Sequence, residues 1–311
     1  MKRLLIIAFS LVLILIVSAS KDKNVSQAAE KLSSITGNRF ISTAVAIGNK
    51  WGFIDKTGKY VIKPKFDAAS AFYEGLAAVA IGNKWGFIDK TGKYVINPQF
   101  DGTGYFFEGL AAVEIGNKWG FIDKTGKYVI DPKFDGAGYF SEGLAAVKLE
   151  NKWGSIDKTG NYVITPQFDD SVYFFEGLAA VANGNKWGFI DKTGKYVIDP
   201  KFDYAFRFSE GLASVAIGNK NGFIDKTGNY VINPKFDAAG WFSEGFAGVK
   251  IDNKWGFIDK TGKYMINPKF DDTGWFSEGL AAFRLGNKSG FIDKAGKYVI
   301  KPKFDGIALK Y

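Results

Sequence analysis

Apolar positions along this chain come in short stretches, each closed within a few residues by Gly, Asn, Pro or an Asp-Lys-Thr-Gly run. Leu76 to Ile81 reads as an apolar strand, and Gly82-Asn83 is the glycine-containing two-residue signal of a hairpin. Trp85 to Asp89 follows as a second strand and stops at Asp89-Lys90-Thr91-Gly92, where Asp bonds the backbone ahead and Gly adopts positive φ. Lys93 to Ile96 is the third strand. Pro98 cannot donate to a ladder and belongs at a strand end or sheet edge. The connection carries Tyr105-Phe106-Phe107-Glu108-Gly109, a turn or a fourth short strand. Alternation puts Trp85, Phe87 and Asp89 on one face and Gly86 and Ile88 on the other, so both faces carry apolar groups.

The same pattern returns every 34 residues. Trp-Gly recurs at Trp51-Gly52, Trp85-Gly86, Trp119-Gly120, Trp153-Gly154, Trp187-Gly188 and Trp255-Gly256, with Asn221 and Ser289 in the two remaining slots. Every proline falls at one phase, so residues 40–311 form eight whole units without insertions. Tetratricopeptide units share this length, but a helix pair needs apolar residues at i, i+3, i+4 and i+7 over ten or more positions, and Gly or Pro interrupts every few residues here. A three-stranded sheet with two apolar faces requires neighbours on both sides. The predicted fold is therefore all-β: eight antiparallel meanders stacked as an open, twisted array, with a closed eight-bladed propeller as the alternative. The end units favour the open form, because an open array needs altered caps. Phe40-Ile41-Ser42-Thr43 replaces Glu-Gly-Leu-Ala in the first unit, and the last carries Ser289 and Ala295.

Composition narrows the chemistry. The chain contains no Cys and no His, which removes thiol nucleophiles, disulfides, zinc sites built on those residues and histidine acid–base catalysis. Net charge is +9, yet the lysines are interleaved with acids (Lys84, Lys90 and Lys93 near Asp89, Asp101 and Glu108), which reads as a solvated surface rather than a nucleic-acid track. Met1-Lys2-Arg3, the apolar run Leu4 to Val17 and Ser18-Ala19-Ser20 have the form of a signal peptide over residues 1–20, or of an N-terminal anchor if uncleaved. Export to the periplasm, cell surface or medium is the expectation, with membrane contact only through this segment. Residues 21–39 are a polar spacer in which Ser26 to Ile35 suits a short helix.

The run Glu74-Gly75-Leu76-Ala77-Ala78-Val79, then Lys84-Trp85-Gly86-Phe87-Ile88-Asp89, then Gly92-Lys93-Tyr94-Val95-Ile96 with Pro98 and Phe100, resembles the WG repeat family of mostly bacterial proteins. The resemblance covers residues 40–311, about seven-eighths of the chain. It implies a β-rich repeat protein, often exported, with no established catalytic role. A looser resemblance links the aromatic and Gly strand-turn pattern to cell-wall-binding repeats. Asn221, Ser289 and Ser155 depart from the pattern.

Asp55, Asp89 and their equivalents invite a reading as catalytic carboxylates, but a catalytic centre is normally one site and these recur at a turn in every unit. Lys56-Thr57-Gly58 has the form of an acyl-transfer motif without its partner Ser-x-x-Lys. Asp67 and Glu74 would need to approach each other to bind calcium, and no dense acidic loop accompanies them. No catalytic residue, metal site or cofactor is expected. The Trp51 set reads as core.

Positions that vary between near-identical units are free of the demands of stacking. One series holds Ala71, Tyr105, Tyr139, Tyr173, Arg207, Trp241 and Trp275; it precedes the constant Phe72, Phe106 and Phe140 series, so the two face opposite ways. A second runs through Ala80, Glu114, Lys148, Ala182, Ala216, Lys250 and Arg284. A third runs through Lys63, Asn97, Asp131, Thr165, Asp199, Asn233 and Asn267. The first is a ladder of binding-prone side chains, suited to a cell-wall glycan or a surface protein, or else a set of rings covering the seams between units. The expected function is an exported, non-enzymatic binding or scaffold surface. A structural spacer or stalk is the alternative, and a carboxylate-based hydrolase the remote one.

Overall fold

The structure, a computed structural model, describes residues 43–47, 49–54, 59–170, 172–277 and 279–304. The leader, the spacer with its expected helix, residues 40–42, Asp55 and the Lys56-Thr57-Gly58 run lie outside the described residues. Among those described, every regular element is a strand, and the strands form eight separate antiparallel sheets hydrogen-bonded in chain order. Among the described residues no sheet closes into a barrel and no hydrogen-bonded sheet joins the first unit to the last, which fits the open array.

The second sheet sets the pattern: Ala68–Tyr73, Leu76–Ile81, Lys84–Ile88 and Tyr94–Phe100. The connection supplies the first strand of each four-stranded sheet, although Tyr105 to Gly109 itself forms a turn with a single bridge from Phe107 to Leu110. That first strand runs six residues in the second, fourth, sixth and seventh sheets, as in Gly136–Ser141, but only two in the third, fifth and eighth, as in Gly102–Thr103. The first sheet has three described strands, Thr43–Ile47, Lys50–Ile54 and Tyr60–Phe66.

The last strand of each sheet is longer than the sequence suggests and carries its proline inside. Tyr94–Phe100 is an edge strand, so Pro98 breaks no ladder bond on its open side. Trp85 pairs with Phe100 but Phe87 pairs with Ile96, so the edge strand bulges by two residues between them. The bulge swings its backbone over Gly86. A Cβ there would lie 2.5 Å from the Ile96 carbonyl oxygen and 2.6 Å from the Pro98 nitrogen, and the equivalent backbone meets Gly52, Gly120, Gly154, Gly188 and Gly256. The glycine of the Trp-Gly pair is thereby fixed by close backbone approach.

Stacking uses both faces. Leu76, Ala78, Phe87, Ile96 and Phe100 of the second sheet pack against Phe106, Ala111, Val113 and Ile122 of the third. The other face of the second sheet (Ala77, Val79, Ile88) packs back onto Phe53, Ile62 and Phe66 of the first. This seam recurs down the chain, always with the constant phenylalanines buried. On the forward face of the eighth sheet Phe291 and Ile300 are buried as well, at 1% and 5% exposure.

A polar clamp ties each sheet from the second to the seventh to the one that follows. Glu74-Gly75 forms the first hairpin turn with φ of 47° and 91°, a left-handed pair in which Asn rather than Glu is the ordinary first residue. The Glu side chain explains the choice, because its carboxylate accepts a hydrogen bond from the Gly109 N–H at 3.0 Å and pairs with Lys124 Nζ at 3.0 Å, both in the third sheet. Glu108, Glu142, Glu176, Glu210 and Glu244 repeat the reach.

Candidate functional site

The first strand of each long-strand unit contains a one-residue bulge: Ala69 pairs with Val79, but Phe72 pairs with Ala77. The variable series falls in this bulge or its irregular equivalent, and the constant phenylalanine follows it. The two series do face differently. Phe106, Phe140, Phe174, Phe208, Phe242 and Phe276 are buried in the seams, whereas Tyr105 is 39% exposed and Tyr139, Tyr173, Arg207, Trp241 and Trp275 are half-buried. Ala71, the first of the series, is buried.

The structure brings these side chains into one continuous ladder. Tyr139 stacks on Tyr173 with ring centroids 5.0 Å apart, and Trp241 lies 5.0 Å from Trp275. Arg207 bridges the halves: its guanidinium sits 4.3 Å from the Phe175 ring and 4.6 Å from the Trp241 ring, and it donates a hydrogen bond to the Tyr139 hydroxyl two units back. Tyr105 joins through Tyr73, 4.6 Å away, and Tyr73 and Tyr139 both pack on Phe107. Tyr73, Phe107 and Phe175 are rungs that the sequence reading misses. The signal was available: the position two residues past the first series also varies, through Tyr73, Phe107, Ser141, Phe175 and Ser209, and lies on the same side of the strand. Where it is serine, the hydroxyl of Ser141, Ser209 or Ser243 donates to a backbone carbonyl of the next sheet at 2.7 Å.

Packing in the ladder shifts its ionisable groups. Burial pushes the Tyr73 and Tyr173 phenols up to about 12, with neighbouring tyrosines adding to the effect. Burial also raises Tyr139 and lowers Arg207, the latter opposed by its contact with Tyr139. Tyr73, Tyr139 and Tyr173 are therefore neutral phenols beside one stacked cation, Arg207, across the physiological range.

The signature tryptophans pack at the margin of the core. Trp51, Trp85, Trp119, Trp153 and Trp187 are half-buried, and Trp255 alone among the set is buried, at 8% exposure. They pack against the seam clusters between sheets, Trp187 lying 5.0 Å from Tyr204 of the next sheet, and the second variable series stands opposite on the neighbouring strand, as Trp119 faces Glu114 and Trp153 faces Lys148. Asn221 and Ser289 take the place of this ring in the sixth and eighth sheets, Ser289 buried at 1% exposure. The third series, on the edge strands, is exposed throughout.

The carboxylates have local tasks. Asp89 Oδ1 accepts from the Thr91 N–H, the Thr91 hydroxyl and the Lys93 N–H; these bonds, the hydroxyl first, hold its carboxyl below the usual carboxylate range. Asp67 and Glu74 are not brought together. Asp67 sits at the opposite end of the sheet, held by Lys50 and the Gly82 N–H. Among the described residues no group of three or more acidic side chains is placed to hold a metal ion.

A family model described as WG containing repeat matches residues 51–85, 85–119, 119–153, 153–187, 187–220, 222–255, 255–288 and 290–308. The match is broken just at Asn221 and Ser289. No curated protein matches the chain. Among solved structures, one described as a eukaryotic initiation factor is similar at 15% identity and TM-score 0.57, over 81% of this chain and 82% of that one. The dihydro-heme d1 dehydrogenase NirN in complex with DHE is similar at 11% identity and TM-score 0.52, over 82% and 72%. At such identities the likeness concerns the fold alone.

Proposed function

The chain belongs to the WG repeat family, and from that premise we propose that it is an exported, non-enzymatic β-repeat protein whose aromatic ladder is an extended binding surface for a cell-envelope glycan. The observation that carries this reading is the ladder itself. Tyr105, Tyr139, Tyr173, Arg207, Trp241 and Trp275 differ from unit to unit while the seam residues beside them stay constant, yet they remain in contact from one sheet to the next. Stacking of the sheets requires only the seam residues. Flat, amphipathic rings at regular intervals suit a ligand that is itself a chain of rings, and weak contacts in series gain strength through multivalency.

The acidic partners of the lysines support a neutral ligand over a polyanion, since Lys84, Lys118, Lys152, Lys186, Lys220 and Lys254 each pair with the aspartate that opens the next sheet. The mutual packing of the rings favours a second reading, a structural spacer in which the ladder only covers the seams. Replacement of Tyr105, Tyr139, Tyr173, Trp241 and Trp275 by Ser separates the two. The variant should stay folded and lose capture by isolated cell-wall glycan; capture that survives in the folded variant overturns the ladder.

A further inference from the structure

We propose that the seam between the fourth and fifth sheets is a water-binding site, in which a buried water bridges the hydroxyls of Ser155 and Tyr196 from the two sheets. The site lies in the core and is independent of what the ladder binds.

The six other seams between consecutive sheets share one contact. The phenylalanine two residues past the signature position meets the constant phenylalanine of the next sheet, as Phe121 meets Phe140 and Phe189 meets Phe208, with ring centroids 4.8 to 5.0 Å apart. In the fourth sheet that position is Ser155, so Phe174 of the fifth sheet has no such ring to meet. Ser155 pairs with Ala146 and Ile164 on the flanking strands, and its side chain shares their face, which packs onto the fifth sheet. Tyr196 pairs with Ile190 on the face of the fifth sheet that packs back onto the fourth, its ring 6.1 Å from Phe168. Both hydroxyls therefore belong to the same seam.

Ser155 is fully buried, and neither its Oγ nor the buried Tyr196 hydroxyl oxygen has a hydrogen-bond partner in the chain. Among the described residues these are the two buried side-chain polar atoms left so. That both fall in the one seam lacking a ring is the observation that carries the site. An unbonded buried hydroxyl is costly, and buried water is the usual partner of such groups.

Size and polarity select the occupant. Val172, 1% exposed, packs into this seam where other sheets have Ser70, Gly104, Gly138, Gly240 or Gly274, and only Phe206 is larger. The valine replaces part of the lost apolar volume but adds no polar side-chain atom, so the two hydroxyls still need a partner. Each can donate and accept, as a bridging water requires.

The test is a double-mutant cycle on the full chain, read by chemical denaturation. With a shared water, Ser155→Ala and Tyr196→Phe should each lower the denaturation midpoint. The two together should lower it by clearly less than the sum, because the second change removes a group whose bridge is already broken. Dry, unsatisfied hydroxyls predict otherwise: each deletion would raise the midpoint or leave it unmoved. That result, or losses that simply add, overturns the shared water. Should a variant fail to fold, a crystal structure of the wild-type chain decides. One ordered water within about 2.5–3.0 Å of both oxygens is expected; a seam without it, or hydroxyls bonded directly to each other, overturns the site.

Discussion

A single methyl group is the sharpest probe at the residue scale. Gly120 lies under the edge-strand bulge, where a Cβ would meet the Ile130 carbonyl oxygen at 2.5 Å and the Pro132 nitrogen at 2.7 Å. Gly120→Ala should therefore destabilise the array by about 1–3 kcal/mol, the range of core overpacking, seen as a lower denaturant midpoint. The adjoining tryptophan behaves differently. Phe121 is fully buried and Trp119 only half-buried, so Phe121→Ala should cost about 3–5 kcal/mol and Trp119→Asn less than half of that. Equal costs in chemical denaturation would contradict the placement of the signature ring at the half-buried margin of the seam. The recurrence of Trp-Gly was plain in the sequence, and the reading of Trp51 and its equivalents as core fits Trp255 fully and the others in part, since they pack half-buried against the seam clusters. The glycine's role was hidden because it depends on a bulge in a different strand.

Each sheet is held as an element by its turns and by its neighbour. Glu142 accepts from the Gly177 N–H at 3.0 Å and pairs with Lys192 Nζ at 3.1 Å across the seam. Glu142→Gln should keep the hydrogen bond and lose the ion pair, lowering stability by less than about 1 kcal/mol, an effect that shrinks in high salt. The aspartates make a pH prediction. Asp101, held first by Lys84 and then by the Gly116 N–H, has its carboxyl below the usual range, and Asp135, Asp169, Asp203, Asp237 and Asp271 repeat this. A lowered folded pKa contributes stability that is complete above the unfolded value, near pH 4, and is lost as pH falls through the folded value. The denaturation midpoint should be flat from about pH 7 to pH 5 and drop steeply below pH 4; a midpoint flat to pH 2 contradicts the pairing. Three strands of every sheet were legible from turn chemistry, since Gly82-Asn83 and Asp89 to Gly92 mark their own boundaries. The first strand was not, because its bulge and its two-residue form in the third, fifth and eighth sheets erase the period-two signal. The Glu74 clamp was also invisible, its partners lying 35 and 50 residues downstream.

For the whole molecule, stacking through equivalent seams makes stability a sum of sheet and seam contributions. Deletion of residues 119–152 removes one full period in register and should leave a cooperative, slightly shorter array, measured by calorimetry and small-angle scattering; loss of cooperative unfolding would count against an open array. Eight units and their stacking followed from the repeat alone, and so did most of the ladder, because residues that vary on a constant lattice mark the surface the lattice does not need. What remained hidden was how the rungs touch, which depends on the rise between sheets. The most direct measurement is co-sedimentation of the purified protein with isolated cell-wall glycan at low and high salt. Contacts made by stacked rings are insensitive to screening, so the account predicts pelleting that persists at high salt. Pelleting confined to low salt, or none at either, would contradict it and leave only the attraction of a basic surface or a spacer.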